Sequence, residues 1–193
     1  MSEEYNILKK QVFELNDLKL VPIRFIDRYS IMNWRNEQIY HLRQSITLSE
    51  EEQDNYFKDV ISKDFNEKKP SQILFSYLEV EKCIGYGGFV NINWADRRAE
   101  MSFLLDTSLK GDSKKYDYYF SNFITLLKII GFKDIGLNRI FTETYSFRKK
   151  HIKILEDNDF LSEGVMKEHI LMIEENKYYD SVLHGSLKKY YEK

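Results

Sequence analysis

Two carboxylates, Glu100 and Glu143, each fall inside a strand-like run of this 193-residue chain. A half-buried strand is a costly place for a carboxylate unless it is paired or used. Each is therefore read either as a proton acceptor or as the structural partner of an arginine such as Arg98 or Arg139. Tyr145, which closes the run holding Glu143, and His184, within Asp180-Ser181-Val182-Leu183-His184, are two further groups able to exchange a proton. A lone histidine in a strand can equally be a hydrogen-bonded structural residue. Upstream, Trp34-Arg35-Asn36 sets a stacking face, a planar donor fork and a donor–acceptor amide side by side. Such a trio suits a phosphate, a sugar or a uracil or thymine ring; the alternative is Trp34 in the core with Arg35 and Asn36 solvated. Lys110, Lys114 and Lys115 surround Gly111 ahead of a long helical run, and Arg148 opens another helix. These cations could meet a phosphate or could be solvated surface charge. The four histidines are scattered and none pairs with a cysteine, so no metal-ligand spacing is present. Cys83 lies in an apolar run and reads as chemically inert.

The elements that must position these groups follow from periodicity. Residues 1–17 read as a short helical or frayed N-terminal arm, with Ile7, Leu8, Val12 and Phe13 at helical spacing. Residues 18–193 read as one domain. Within it, Leu18–Ile26 reads as a strand and Arg28–Gln44 as a helix carrying Ile31, Trp34, Ile39 and Leu42 on one side. Ser49 and Glu52 have the spacing of a capping box opening a second helix that runs to about Asp64. Three strands follow, Gln72–Val80, Cys83–Asn93 and Arg97–Leu105; the glycines Gly85, Gly87 and Gly88 in the second mark a bulge or a close backbone approach. Tyr116–Phe132 is the clearest amphipathic helix, then come a strand at Arg139–Tyr145, a helix at Phe147–Asn158, and strands at Ser162–Ile173 and Tyr178–Leu187. The order is that of an α/β chain with a mixed sheet.

Hydrophobic residues make up 42% and charged residues 31%, which suits one globular core. A formal net charge of −2 argues against a general nucleic-acid binder. The single cysteine points to a reducing compartment. No apolar run approaches the ~18–20 residues a membrane span needs. Met1-Ser2-Glu3-Glu4 lacks a signal-peptide pattern. The expected location is the cytoplasm and the expected partner a small molecule, without nucleic acid or membrane insertion, with a homodimer left open.

The last third of the chain adds a resemblance. Leu137-Asn138-Arg139-Ile140-Phe141-Thr142-Glu143-Thr144-Tyr145 precedes Ile152-Lys153-Ile154-Leu155-Glu156-Asp157-Asn158-Asp159-Phe160. Ser162-Glu163-Gly164-Val165-Met166-Lys167-Glu168-His169 and Lys177-Tyr178-Tyr179-Asp180-Ser181-Val182-Leu183-His184-Gly185 follow. This succession resembles the second half of the GNAT N-acetyltransferases, in particular the branch of the ribosomal-protein N-terminal and nucleotide-amino-sugar enzymes. It implies an α/β (α+β) fold with a mixed, mostly antiparallel seven-stranded sheet, a central parallel pair that splays apart, and helices on both faces. The pair would be Arg97–Leu105 and Arg139–Tyr145.

The resemblance also implies acetyl-CoA as co-substrate, with no metal. The backbone of Met101, Ser102, Phe103 and Leu104 would receive its pantetheine arm as an added strand and face the thioester carbonyl with N–H groups. An amine would attack directly in a ternary complex, Glu100 or Glu143 would take its proton, and Trp34-Arg35-Asn36 would wall the acceptor pocket. Three departures from the family pattern stand out. Tyr116 and Tyr118 fill the positions of the family's phosphate-loop glycines, so Lys110, Gly111, Lys114, Lys115 and Tyr116 become the expected phosphate contacts. Ser146-Phe147-Arg148-Lys149-Lys150 replaces a frequent asparagine, and the frequent general-acid tyrosine falls at Leu155. The expected acceptor is a nucleotide-linked amino sugar for surface polysaccharide. The alternatives are a protein N-terminus and a catalytically weak CoA-binding module.

Overall fold

The computed structural model describes residues 3–192. Eight strands form one sheet: β1 (Phe13–Leu15), β2 (Leu18–Pro22), β3 (Ile73–Glu79), β4 (Lys82–Asn93), β5 (Arg98–Leu105), β6 (Arg139–Tyr145), β7 (Leu161–Met172) and β8 (Lys177–Leu187). Their order is β1-β2-β3-β4-β5-β6-β8-β7. The helices are α1 (Arg28–Glu37), α2 (Glu50–Tyr56), α3 (Ser62–Asn66), α4 (Ser113–Lys128), α5 (Lys149–Asp157) and α6 (Lys188–Tyr191). A π-turn at Phe57–Ile61 joins α2 to α3, and another at Ile129–Asp134 extends α4.

Every neighbouring pair is antiparallel except β5 and β6. Those two run parallel and pair only through Arg98↔Arg139, Ala99↔Ile140 and Glu100↔Phe141. Beyond Glu100 they diverge, so Met101 to Leu105 have no strand on that side. Backbone donors and acceptors left this way need another partner.

Helices cover both faces of the sheet because side chains alternate along β5. Phe103 stacks on Phe120 of α4, with centroids 4.6 Å apart. Ser102, on the opposite face, shares a cavity wall with Ile31 and Arg35 of α1. The core beneath α4 is aromatic: Phe75, Tyr77, Phe89, Phe120, Phe123 and Phe132 are all fully buried. β4 lies so close to its neighbours that a Cβ on Gly87 would stand 2.2 Å from the Ser102 carbonyl oxygen. The next residue, Gly88, has φ +152°, and a Cβ there would meet the Ile73 oxygen at 2.1 Å.

The central elements fall within a few residues of their expected bounds, and the Ser49–Glu52 capping box forms in both directions. Four expectations change. The sheet has eight strands rather than seven because Phe13–Leu15 pairs with β2. The expected helical or frayed arm is neither: Tyr5 is fully buried, and its phenol oxygen accepts from the Leu74 N–H at 2.9 Å. Met1, Ser2 and Lys193 lie outside the described residues. The first long strand ends at Pro22 instead of Ile26, since Arg24 turns away to pair with Asp27 at 2.7 Å. The helix expected to reach Gln44 stops at Glu37. Gln38 is buried there, and its amide donates to the Leu105 carbonyl at 2.8 Å. Among the described residues no helix is long and apolar enough to cross a membrane.

Candidate active site in the opened sheet

A cavity of about 470 Å³ fills the gap between β5 and β6. Met101, Ser102 and Phe103 line one side, Thr142, Glu143 and Tyr145 the other, and residues 41–46 with Leu48 form a lip. At its inner end the two strands bring their carboxylates to one point. Arg43 Nη2 lies 2.7 Å from Glu100 Oε1 and 3.0 Å from Glu143 Oε2. Glu100 receives a second Arg43 bond at 3.1 Å and one from Asn91 Nδ2 at 2.7 Å. The second donor comes from a β4 bulge between Val90 and Asn93, where Asn91 adopts φ 50°. Glu143 keeps a freer oxygen: among the described residues its Oε1 has only His169 Nε2 as a charged neighbour, at 3.6 Å. The guanidinium is 56% exposed while the carboxylate side chains are 10% and 14% exposed. The cation can therefore leave for water, but the carboxylates cannot.

His41, Arg148 and His151 line this cavity and also a second chamber of about 320 Å³, and so form the waist between the two. That chamber adds Tyr40, Lys110, Tyr116, Phe147, Lys149 and Lys150. The His151 ring is stacked on Phe120, 4.2 Å between centroids, and its Nδ1 meets the Tyr116 hydroxyl at 2.9 Å. Arg148 Nη2 sits 3.3 Å from the same nitrogen. Burial first, then the Arg148 charge, holds His151 well below the usual histidine value. His41 is pushed down to about 2, by burial first and then by Arg148 and Lys110. Both rings are therefore neutral. Burial raises the Tyr145 phenol, with Glu143 adding to the rise.

The structure brings together Glu100, Glu143, Tyr145, Met101, Ser102, Phe103, Arg148 and Arg35 around the first cavity. It places Lys110, Tyr116 and again Arg148 around the second. The carboxylates' partner is Arg43, not Arg98, which pairs with Asp96, nor Arg139, which pairs with Glu163. Leu104 is buried and lies off the cavity wall. His184 is fully buried behind β6, opposite Thr142 in register. Neither of its ring nitrogens has a hydrogen bond; Glu156, at 3.6 Å, is too far for one. Trp34 is buried and lines a separate shallow site with Ser30 and Cys83. Asn36 spends its amide on the lip, bonding the N–H and carbonyl of Leu48 at 2.8 and 2.9 Å. Arg35 donates to Gln44 at 2.9 Å and to the Tyr86 hydroxyl at 2.6 Å.

Gly111 stands in the open, with nothing within 4 Å of an added Cβ. Lys114 and Lys115 are outside both chambers, and their N–H groups are taken by Asp112 Oδ1 at 3.0 and 3.1 Å. Burial drives the Cys83 thiol up to about 12, away from any nucleophilic role. Among the described residues there is no group of three side chains able to hold a metal ion.

Sequence reasoning missed Arg43, Asn91, His41, His151 and His169. Arg43 sits in a polar stretch without periodicity, and Asn91 becomes a donor only through the bulge. His151 gave one usable signal: it lies four residues before Leu155, on the same face of α5.

A mixed sheet opened between two parallel strands, with a cavity in the opening and a chamber lined by cations beside it, can receive an extended acyl donor along β5, as an acyl-CoA N-acyltransferase does. The chain belongs to the GNAT acetyltransferase family: the family model described as "Acetyltransferase (GNAT) domain" matches residues 20–183. It is accordingly an N-acetyltransferase that takes its acetyl group from acetyl-CoA and passes it to an amine. No curated protein sequence matches the chain. Among solved structures it is similar to spermidine N-acetyltransferase from Vibrio cholerae in complex with CoA and spermine. The TM-score is 0.78 at 17% identity, over 93% of this chain and 100% of that one. A dodecameric form of the same enzyme, in an intermediate state, gives 0.75 at 18% identity, over 92% and 97%. At such identity the likeness extends to the fold alone.

Proposed function

We propose that the acceptor is a small molecule with a primary amine and a second cationic group, such as a diamine or polyamine. The observation that carries this reading is the meeting of Glu100 and Glu143 on one cation, Arg43 Nη2. Two poorly exposed carboxylates on opposite strands must have a positive partner at that point. A mobile acceptor cation can take the place of the half-exposed guanidinium. The likeness in fold to an enzyme solved with spermine agrees with this choice.

The acetyl donor supplies an activated thioester carbonyl; the chain's residues do the rest. Free N–H groups of β5 from Met101 onward face the opening and support negative charge on the carbonyl oxygen. Glu143, with one oxygen free of strong bonds, accepts the proton of the attacking amine, directly or through water. Glu100, held by Arg43 and Asn91, anchors the cation. Tyr145, two residues beyond Glu143 on β6, lines the same cavity, and its phenol could give a proton to the thiolate that leaves the acetyl donor.

The second reading is a nucleotide-linked amino sugar. Its support is the pair of guanidiniums, Arg35 and Arg43, on the wall of the same cavity, where a diphosphate would find donors. Purified protein should be given acetyl-CoA with diamines and polyamines, UDP- and dTDP-linked amino sugars, and N-terminal peptides, while thiol release is followed. Turnover of the polycations with little on the others is expected. Turnover confined to sugars promotes the second reading, and turnover confined to peptides overturns both.

A further inference from the structure

We infer that the acceptor also carries a carboxylate, held by Arg35 at the neck of a side cavity beneath α1, so that the substrate class is a diamino acid rather than a plain diamine. This deepens the polycation reading above and rests on it, since the ammonium groups still meet Glu100 and Glu143. The side cavity, of about 210 Å³, lies between α1, α2 and the face of β3, β4 and β5. Arg35, Leu48, Val90 and Ser102 line both it and the cavity between β5 and β6, and so form the neck between the two.

The neck is built for an anion. None of the residues lining the side cavity is acidic, and Arg35 is the cation among them. Its Nε donates to the Gln44 side-chain oxygen at 2.9 Å and its Nη1 to the Tyr86 hydroxyl at 2.6 Å. Both acceptors are neutral, so they leave the charge unbalanced. Among the described residues Arg35 has no ion pair, and its Nη2 bonds nothing. A partly buried guanidinium without a counter-charge is costly. Tyr86 is 5% exposed. Its hydroxyl oxygen already accepts from Arg35, so its own proton is left for another acceptor, and none is present among the described residues. The Ser102 hydroxyl, at the same neck, is equally uncommitted. A guanidinium edge and two hydroxyl donors together suit a carboxylate.

Size and spacing select the class. Drug-sized ligands fill pockets of about 300–1,000 Å³. A side cavity of about 210 Å³ takes the compact end of a small molecule instead, not a nucleoside diphosphate. Ser102 stands two residues beyond Glu100 on the same face of β5, about 7 Å along the strand. A side chain of about three or four methylene groups carries a far nitrogen across that gap. The neck and the paired carboxylates therefore form the two poles of one site, an Arg35 pole for the carboxylate and a Glu100–Glu143 pole for the ammonium groups.

The test is steady-state turnover of the whole protein with acetyl-CoA, comparing ornithine with 1,4-diaminobutane and lysine with 1,5-diaminopentane. The members of each pair differ only by the carboxylate. Loss of one charge-assisted contact costs about 10- to 100-fold, and loss of a neutral one about 3- to 10-fold. The parent's kcat/KM should favour the diamino acids by about 10- to 100-fold. Arg35→Ala should erase that ratio and Arg35→Lys should keep part of it. Tyr86→Phe, which retains the ring, should lower it by about 3- to 10-fold. The ratio is read because a loosened lip would slow both members of a pair alike. Should Arg35→Ala fail to fold, Arg35→Lys and Tyr86→Phe carry the test. A parent that turns over the diamines as well as the diamino acids, or a ratio unmoved in the folded variants, overturns the inference and leaves the polycation reading standing. Turnover of amino sugars or peptides alone strikes that reading, and this inference with it. Succinyl-CoA replacing acetyl-CoA for 1,4-diaminobutane, at a rate lost in the Arg35 variants, would place the carboxylate on the donor and overturn its assignment to the acceptor.

Discussion

Arg43 ties together two side chains that lie 43 residues apart in sequence, Glu100 and Glu143, and neither strand's pattern announces it. The carboxylates themselves were legible, because charge in an apolar strand demands a reason. Their partner was not, because a long, exposed arginine in an irregular segment can reach many places. The site divides their roles by the number of donors each receives. Glu143→Gln should lower kcat by ~10²–10⁴-fold, the range for loss of a general base. Its donor affinity should be unchanged by calorimetry, and part of the activity should return at higher pH, where more amine is free. Glu100→Gln should instead raise KM for the acceptor more than it lowers kcat. Near-parental turnover in both single variants and the double variant would remove the pair from the chemistry. Arg43→Ala leaves the carboxylates short of a cation. With the guanidinium half exposed, solvent screening limits the stability loss to about 1–2 kcal/mol. The same variant should bind polycationic acceptors more tightly than the parent, and weaker binding would count against the shared cation position.

Elements decide how that residue arrives. The segment from Ile39 to Ser49, which contains the lip, carries Arg43 without regular structure of its own beyond one turn at Ile39–His41. Asn36 holds it from α1 through Leu48 and Gln44, and the Ser49–Glu52 box holds its far end. Asn36→Ala removes three hydrogen bonds and should loosen the lip. The expected result is a raised acceptor KM with kcat within about threefold, since each bond contributes roughly 0.5–1.5 kcal/mol net. A fall in kcat alone would mean that Asn36 acts on the reacting atoms. The same scale shows why the fold was readable and parts of the site were not. Hydrophobic periodicity gave β3 through β8, α4 and α5 within a few residues, since those patterns are buried on defined faces. It overran after Pro22, where Arg24 turns to Asp27 and bonds Ser76 Oγ through its N–H, and at Gln38, whose side-chain amide bonds Leu105 and Thr107. It also misread the described residues 3–17, from which Tyr5, Leu8 and Phe13 reach the core along an irregular segment and a short strand. Trp34-Arg35-Asn36 looked like a binding trio because its chemistry is right. Packing assigns Trp34 to the interior and Asn36 to the lip.

At the scale of the whole molecule, the waist makes stability depend on pH. His41 and His151 titrate far below the ordinary histidine value because they are buried beside Arg148. In the unfolded chain both take up a proton near ~6.5. The unfolded state therefore binds more protons below that value. The stability gained by keeping the rings neutral is complete above ~6.5 and is lost as pH falls toward the folded values, at up to ~1.4 kcal/mol per pH unit per ring. The melting temperature should hold from pH 7.5 to about 6.5 and fall steadily from there to pH 5, and His41→Asn should flatten that slope. An unchanged melting temperature across that interval would mean that the rings are reached by water.

The whole molecule is organised around one opening. Seven strand pairings make the sheet, and the β5–β6 pairing stops after three residue pairs. If acetyl-CoA completes that opening, hydrogen–deuterium exchange at saturating acetyl-CoA should slow at Met101 to Leu105, with β3 unchanged. Protection elsewhere, with β5 exchanging as in the free protein, would contradict the account.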